Sequence, residues 1–90
     1  MNWLIGFSRN ADKFLQKNNL EKEEVFGFIN LAVRKFRGEV INTDIKKLKG
    51  KWFGFYRIRK GDLRVIAFFD FDREQVLVEV IDWRGSVYKE

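Results

Sequence analysis

Three arginines flank one short turn signal in the middle of the sequence. Arg57 and Arg59 precede the dipeptide Gly61-Asp62, and Arg64 follows it. A Gly-Asp dipeptide between two apolar runs is typical of a two-residue hairpin turn. Because cross-strand partners share a face, this turn places all three guanidinium groups together, with Arg59 directly opposite Arg64. Facing like charges repel one another and planar arginine donors suit phosphate oxygens, so the pattern predicts a phosphate-binding site.

Two other interpretations of these arginines stay open at the level of sequence. A three-residue loop would turn Arg64 to the opposite face and separate it from Arg57 and Arg59. Carboxylates from elsewhere in the chain could also neutralise the three charges. Gly-Asp marks two-residue turns more often than longer ones, so convergence on one face is the prediction.

The positive charge of the chain is concentrated around these arginines. The 90 residues include 18 Lys plus Arg and 13 Asp plus Glu, a formal net charge of +5. Residues 45–64 hold eight cations and one acid, a charge of +7, and the other ten cations and twelve acids sum to −2. This favours a polyanionic partner, although a solvated lysine-rich face has the same composition. The candidate binding lysines are Lys46, Lys47, Lys49, Lys51 and Lys60.

The sequence contains neither cysteine nor histidine. Their absence excludes a disulfide framework, a thiol nucleophile, a Cys/His zinc site, a Ser-His-Asp triad and an imidazole base. No apolar run approaches the ~20 residues that span a bilayer, and the first residues lack the basic start of a signal peptide. These features together favour a cytoplasmic location.

The elements that position the arginines are predicted from apolar periodicity and turn signals. The prediction is a strand at Asn2–Phe7, a helix after the Ser8 cap, a helix from Glu21 to Arg37, a short extended piece at Ile45–Leu48, and strands at Phe53–Lys60, Leu63–Phe71 and Gln75–Asp82. Gly38 fits the position after the second helix that needs a positive φ. The order β-α-α-β-β-β is an α+β fold, with two helices on one face of a small, mainly antiparallel sheet.

At 90 residues, 46% of them apolar and 17% aromatic, the chain is predicted to fold as one domain over residues 1–90. Its last residues add a cation and a phenol, Arg84 and Tyr88, after the final strand. Gly85 allows the chain to bend back toward the sheet at this point. By themselves, Arg84 is most simply a surface residue and Tyr88 an anchor for the tail.

Four segments carry a resemblance to a known family: the first strand leading into Phe7–Leu15, the short stretch Leu48–Gly50, the block Gly54–Ile66, and the end Ile81–Lys89. The sequence resembles the RelE/ParE superfamily of small bacterial and archaeal toxins from type II toxin–antitoxin systems. The resemblance covers essentially the whole chain, and its middle block and terminal Arg-Gly-x-Val-Tyr-Lys are fairly specific. It implies a partner, the cognate antitoxin, which is expected to bind with an acidic helical or extended segment.

The RelE branch of this family consists of ribosome-dependent endoribonucleases that cut mRNA in the decoding site. The resemblance therefore implies a site at Arg57, Arg59, Arg64, Arg84 and Tyr88. In the implied reaction the ribose 2′-OH attacks the adjacent phosphate and leaves a 2′,3′-cyclic phosphate and a 5′-OH. Arg57 and Arg64 would stabilise the phosphorane, Arg84 the leaving 5′-oxygen, and Tyr88 would stack on or orient a base.

The chain departs from the pattern of the best-known ribonucleases at three positions. Arg57 and Arg59 stand where those members carry lysine, and Trp83 stands where many relatives carry histidine. Because arginine keeps its proton, the implied catalysis depends mainly on charge and positioning, with Lys60, Tyr88 or a ribosomal group as proton acceptor. We expect no metal and no other cofactor, and a modest rate on free RNA.

Two further functions stay open for this sequence. The ParE branch has the same fold and acts without cleavage, by binding and poisoning DNA gyrase. A basic RNA-binding module without activity is the other. Retention of Arg57, Arg64, Arg84 and Tyr88 favours the ribonuclease, because a gyrase inhibitor does not need this phosphate-binding set.

Overall fold

The computed structural model of the chain describes residues 3–83. Its elements are β1 (Leu4–Phe7), α1 (Arg9–Lys17), α2 (Lys22–Phe36), β2 (Asp44–Lys47), a 3-10 turn (Gly50–Trp52), β3 (Phe55–Lys60), β4 (Leu63–Asp70) and β5 (Gln75–Trp83). The strands form one sheet in the order β1-β5-β4-β3-β2. All neighbours are antiparallel except β1 and β5. The predicted element order and α+β class are confirmed, and the predicted extended piece is the edge strand β2.

Local hydrogen bonds define the start of α1 and the end of α2. Ser8 precedes α1, and its Oγ accepts a hydrogen bond from the backbone N–H of Ala11 at 3.1 Å. After α2, Gly38 takes a φ of 97°, as the sequence predicted. This conformation lets the next residue, Glu39, donate its N–H to the carbonyl of Arg34 at 3.2 Å, which closes the last turn.

Both helices cover one face of the sheet. On α2, Val25 and Ile29 are fully buried, and they join a core that includes the strand residues Ile58, Val65 and Val78. Aromatic rings complete the same layer around β4. The ring of Phe69, which is 5% exposed, lies within about 6 Å of four others: Trp3, Phe36, Tyr56 and Phe71.

Strand β5 contains one residue more than its partner requires. Ala67 pairs with Val78 and Ile66 pairs with Val80, so the intervening Glu79 has no partner on β4. Such an irregularity is a β-bulge. The carbonyl of Glu79 accepts a hydrogen bond from the Ser8 hydroxyl at 2.6 Å, which ties the start of α1 to this point of the sheet.

Replacing Ser8 by alanine should lower the free energy of unfolding by about 1–2 kcal/mol, because one hydroxyl serves both bonds. The variant would lose the cap on Ala11 and the link to Glu79 together. Urea denaturation followed by circular dichroism measures the change. The exposed Asn42→Ala serves as the control and should shift stability by less than about 0.5 kcal/mol. Equal stabilities of the two variants would show that the Ser8 bonds contribute nothing.

Among residues 3–83, neither helix has the length and apolar character needed to cross a bilayer.

Candidate phosphate-binding site

The β3–β4 hairpin has the register that the sequence predicted. Gly61 takes a φ of 60°, and Arg59 pairs with Arg64 across a two-residue turn. Arg57 pairs with Ile66 two residues further along the ladder. The three arginines therefore share one face of the sheet, hereafter the arginine face, and the predicted convergence is confirmed. Within residues 3–83 the helix-covered core lies on the opposite face.

Arg64 is held by an acid from the neighbouring strand. Its register partner on β5 is Asp82. The Arg64 Nε donates to one carboxylate oxygen of Asp82 and an Nη to the other, both at 2.9 Å. The side chains are only 12% and 17% exposed, so this is a largely buried, two-pronged ion pair.

A second acid, on the edge strand, contacts the other two arginines. The carboxylate oxygens of Asp44 lie 3.6 Å from an Nη of Arg57 and 3.3 Å from the Nε of Arg59. Asp44 is 51% exposed, and it pairs in register with Arg59. One residue from each of four neighbouring strands thus belongs to a single cross-strand row, hereafter the acid–arginine row, which consists of Asp44, Arg59, Arg64 and Asp82.

This row corrects one part of the sequence-based interpretation. Repulsion between Arg59 and Arg64 is balanced by the protein's own carboxylates, which was the second of the two alternative interpretations of these arginines. A bound phosphate is therefore not needed to relieve the repulsion. Among residues 3–83, two carboxylates contact the three guanidinium groups. The Nε of Arg57 is buried and has no hydrogen-bond acceptor among the described residues.

The candidate lysines do not form a single surface. Lys46 pairs with Arg57 and extends the arginine face onto β2. Lys47 pairs with Tyr56, and Lys60 pairs with Leu63, so both of these lysines begin on the helix side of the sheet. Lys60 is therefore badly placed to accept a proton on the arginine face, which corrects that expectation. The remaining two are exposed: Lys49 directly precedes the 3-10 turn, and Lys51 lies within it.

The arginine face continues into an apolar patch that sequence reasoning did not identify. Ile66, opposite Arg57, is 5% exposed. The next residue of β4 on the same face is Phe68, which is 40% exposed. Beyond it, a shallow cavity of about 400 Å³ is lined by residues that include Phe68, Leu4 and Leu77. The alternation of side chains along β4 and β5 was a sequence signal that could have predicted Phe68 and Leu77 on this face. The position of Leu4 could not be predicted in this way, because it depends on the parallel pairing of β1 with β5.

Trp83 ends β5 on the helix side. Its Nε1 donates to the side-chain oxygen of Asn18 at 3.1 Å, and its ring lies 5.6 Å from that of Phe14. The position at which relatives of the resembled family carry histidine is thus occupied by a side chain that anchors α1. Two proposed site residues, Arg84 and Tyr88, lie outside the described residues.

Comparison with known proteins gives different results for sequence and structure. No protein-family model matches the sequence, and no curated protein matches it significantly. Solved structures do match. The archaeal RelE–RelB complex from Pyrococcus horikoshii has 25% identity and a TM-score of 0.59, over 97% of this chain and 100% of that one.

Two bacterial complexes have the same fold. The RelBE2 toxin–antitoxin complex from Mycobacterium tuberculosis has 19% identity and a TM-score of 0.62, covering 93% of this chain and 100% of that one. The DinJ–YafQ toxin–antitoxin complex from E. coli has 14% identity and a TM-score of 0.63, covering 99% and 100%. The agreement covers the two helices and the sheet that carries the acid–arginine row. The chain therefore has the fold of the RelE-like toxins of type II toxin–antitoxin systems.

Proposed function

We propose that this protein is the toxin of a type II toxin–antitoxin module and acts as a ribosome-dependent endoribonuclease on mRNA. One observation carries the proposal. Arg57, Arg59 and Arg64 lie on one face of a sheet that has the fold of RelE-like toxins. The resemblance implies that this face holds the phosphate of the substrate.

The arrangement suits cleavage by the neighbouring 2′-hydroxyl. Attack on the phosphate builds up negative charge on the non-bridging oxygens, and fixed guanidinium groups stabilise that charge. Asp82 holds Arg64 rigidly, so little reorganisation is needed when the substrate arrives. Arg57, whose side chain is 14% exposed, adds a second guanidinium group on the same face. The rate enhancement in this proposal comes from charge and substrate positioning, and no metal is required.

The remaining roles in the proposal rest on the resemblance. Arg84 would stabilise the leaving 5′-oxygen, and Tyr88 would stack on or orient a base. Since Lys60 begins on the helix side, the proton acceptor would be Tyr88 or a group of the ribosome. A ribosomal target also implies that the protein acts in the cytoplasm.

A cognate antitoxin is the second partner in the proposal. The solved complexes named above pair such toxins with RelB and DinJ. On this chain, the arginine face and the adjoining patch around Phe68 offer charge and apolar area side by side. An acidic amphipathic segment fits that combination, because its carboxylates and its apolar residues would each meet a complement.

Cell-free translation tests the proposal directly. The purified full-length protein is added to an extract translating a reporter, and the 5′ ends of the RNA are mapped. We expect cuts within the translated frame that recur at a fixed codon position and disappear when ribosomes are omitted. Arg84→Ala serves as the inactive variant, and full cleavage by it would overturn the site assignment.

The same reactions separate the alternatives. Intact message together with cleaved DNA–gyrase complexes would assign the protein to the gyrase inhibitors. Intact message without gyrase complexes, but with RNA bound, would leave an RNA-binding module without activity. Either result contradicts the ribonuclease.

A further inference from the structure

The two acids of the acid–arginine row differ in how firmly they hold their arginines. Asp82 makes two hydrogen bonds of 2.9 Å to Arg64, and both side chains are largely buried. Asp44 contacts Arg57 and Arg59 at 3.6 and 3.3 Å, without the geometry of a hydrogen bond in either case. Because Asp44 is half exposed and makes no hydrogen bond to either arginine, water competes with these contacts and they are weak. Asp44 is thus the partner that an incoming anion displaces more easily.

The position of Asp44 resembles that of a bridging phosphate. One carboxylate oxygen faces Arg57 and the other faces Arg59, so a single anion spans two guanidinium groups. A phosphodiester also presents two anionic oxygens, and guanidinium donors bind such oxygens well. Both arginines are mostly buried, at 14% and 28% exposure, which keeps their donors in place when Asp44 leaves.

We propose that Asp44 is an internal competitor for an RNA phosphodiester at the position formed by Arg57 and Arg59. In the free protein the carboxylate occupies the two arginines. When RNA binds, the phosphodiester replaces it, and Asp44 turns to solvent on the edge strand. The carboxylate therefore weakens the binding of any RNA and reserves the site for RNA that other contacts hold in place. The inference deepens the proposed function, because it concerns the substrate phosphate of the same site.

The test is the affinity of the full-length protein for a short single-stranded RNA with 2′-O-methyl groups, which cannot be cleaved. Asp44→Asn should tighten binding about fivefold to tenfold in low salt, because a repelling charge is removed and two arginines are released. Fluorescence anisotropy measures the dissociation constant. Asp72→Asn is the matched control, since it removes one negative charge at the far end of β4, and it should change affinity less than about twofold.

A second comparison assigns the effect to the two arginines. With Arg57 and Arg59 both replaced by alanine, Asp44→Asn should tighten binding no more than Asp72→Asn does. The proposal is overturned if Asp44→Asn and Asp72→Asn have equal effects in the unmutated chain, or if the gain survives loss of both arginines. It is also overturned if Asp44→Glu, which keeps the charge, tightens binding as much as Asp44→Asn.

A measurement on the unmutated protein covers the case in which the Asp44 variants do not fold. Inorganic phosphate is titrated while the arginine Nε–H signals are followed by NMR. Signals of Arg57 and Arg59 should shift more than that of Arg64, because Asp82 retains its arginine. A larger shift at Arg64 would overturn the proposal. Both tests measure binding and not cleavage, so they keep their meaning if ribosome-dependent cleavage is absent.

Discussion

Replacing Arg64 by lysine is expected to slow ribosome-dependent mRNA cleavage by about 100-fold, if the proposed function holds. Lysine keeps the positive charge opposite Asp82, but it lacks the planar fork that binds the carboxylate through Nε and Nη. A donor aimed at the developing phosphorane would therefore be lost or displaced. Mapping of 5′ ends in a translating extract over time measures the rate.

The choice of lysine follows from the buried pair. Arg64→Ala would leave Asp82 largely buried without its cation, which costs about 3 kcal/mol or more. From the sequence alone, Arg64→Ala would be expected to spare the fold, and the ion pair reverses that expectation. Arg73→Lys is the matched control, because Arg73 is 78% exposed in the β4–β5 turn, and it should keep the full rate. A folded Arg64→Lys protein with the unmutated rate would remove Arg64 from the site.

The largest loss of stability is expected for Phe69→Ala. The ring is 5% exposed and lies at the centre of the aromatic layer, 5.2 Å from Phe36 and 5.7 Å from Tyr56. Its removal should lower the free energy of unfolding by about 3–5 kcal/mol, since both burial and a cavity contribute. Denaturation in urea, followed by circular dichroism, measures the loss. For a chain of this size that is a large share of the total stability.

Phe68→Ala provides the control on the same strand. Phe68 points to the arginine face and is 40% exposed, and within residues 3–83 its one ring neighbour is Phe55, at 5.5 Å. Its loss should cost about 1 kcal/mol, because less area leaves an already open site. Equal losses for the two variants would contradict the assignment of the core to the face of Phe69.

The sequence was sufficient for the features that depend on local patterns. Period-2 alternation and the Gly61-Asp62 turn determine the hairpin register, and with it the meeting of Arg57, Arg59 and Arg64. The positive φ of Gly38 after α2 could also be predicted from the sequence, because only a residue that tolerates positive φ fits there. These predictions need no knowledge of what lies elsewhere in the chain.

The parts of the site that the sequence analysis did not predict depend on pairings between strands that no short turn connects. Asp44 reaches the arginines only because β2 pairs with β3, and residues 48–54 between these strands contain no two-residue turn signal that predicts the register. Asp44 also stands one residue before the basic segment, so counting charges along the chain separated it from the cations it neutralises. The position of an acid in the sequence says little about which cation it meets in the fold.

The unpaired Glu79 has a consequence for the charges on both faces of the sheet. If Glu79 instead paired with Ile66, Arg64 would oppose Ile81, and Asp82 would fall opposite Leu63 beneath the helices. That regular pairing of the same sequence would separate the Arg64 guanidinium from its carboxylate and place an acid in the apolar interior. The bulge at Glu79 therefore keeps Asp82 on the arginine face and Ile81 on the helix side of the same strand.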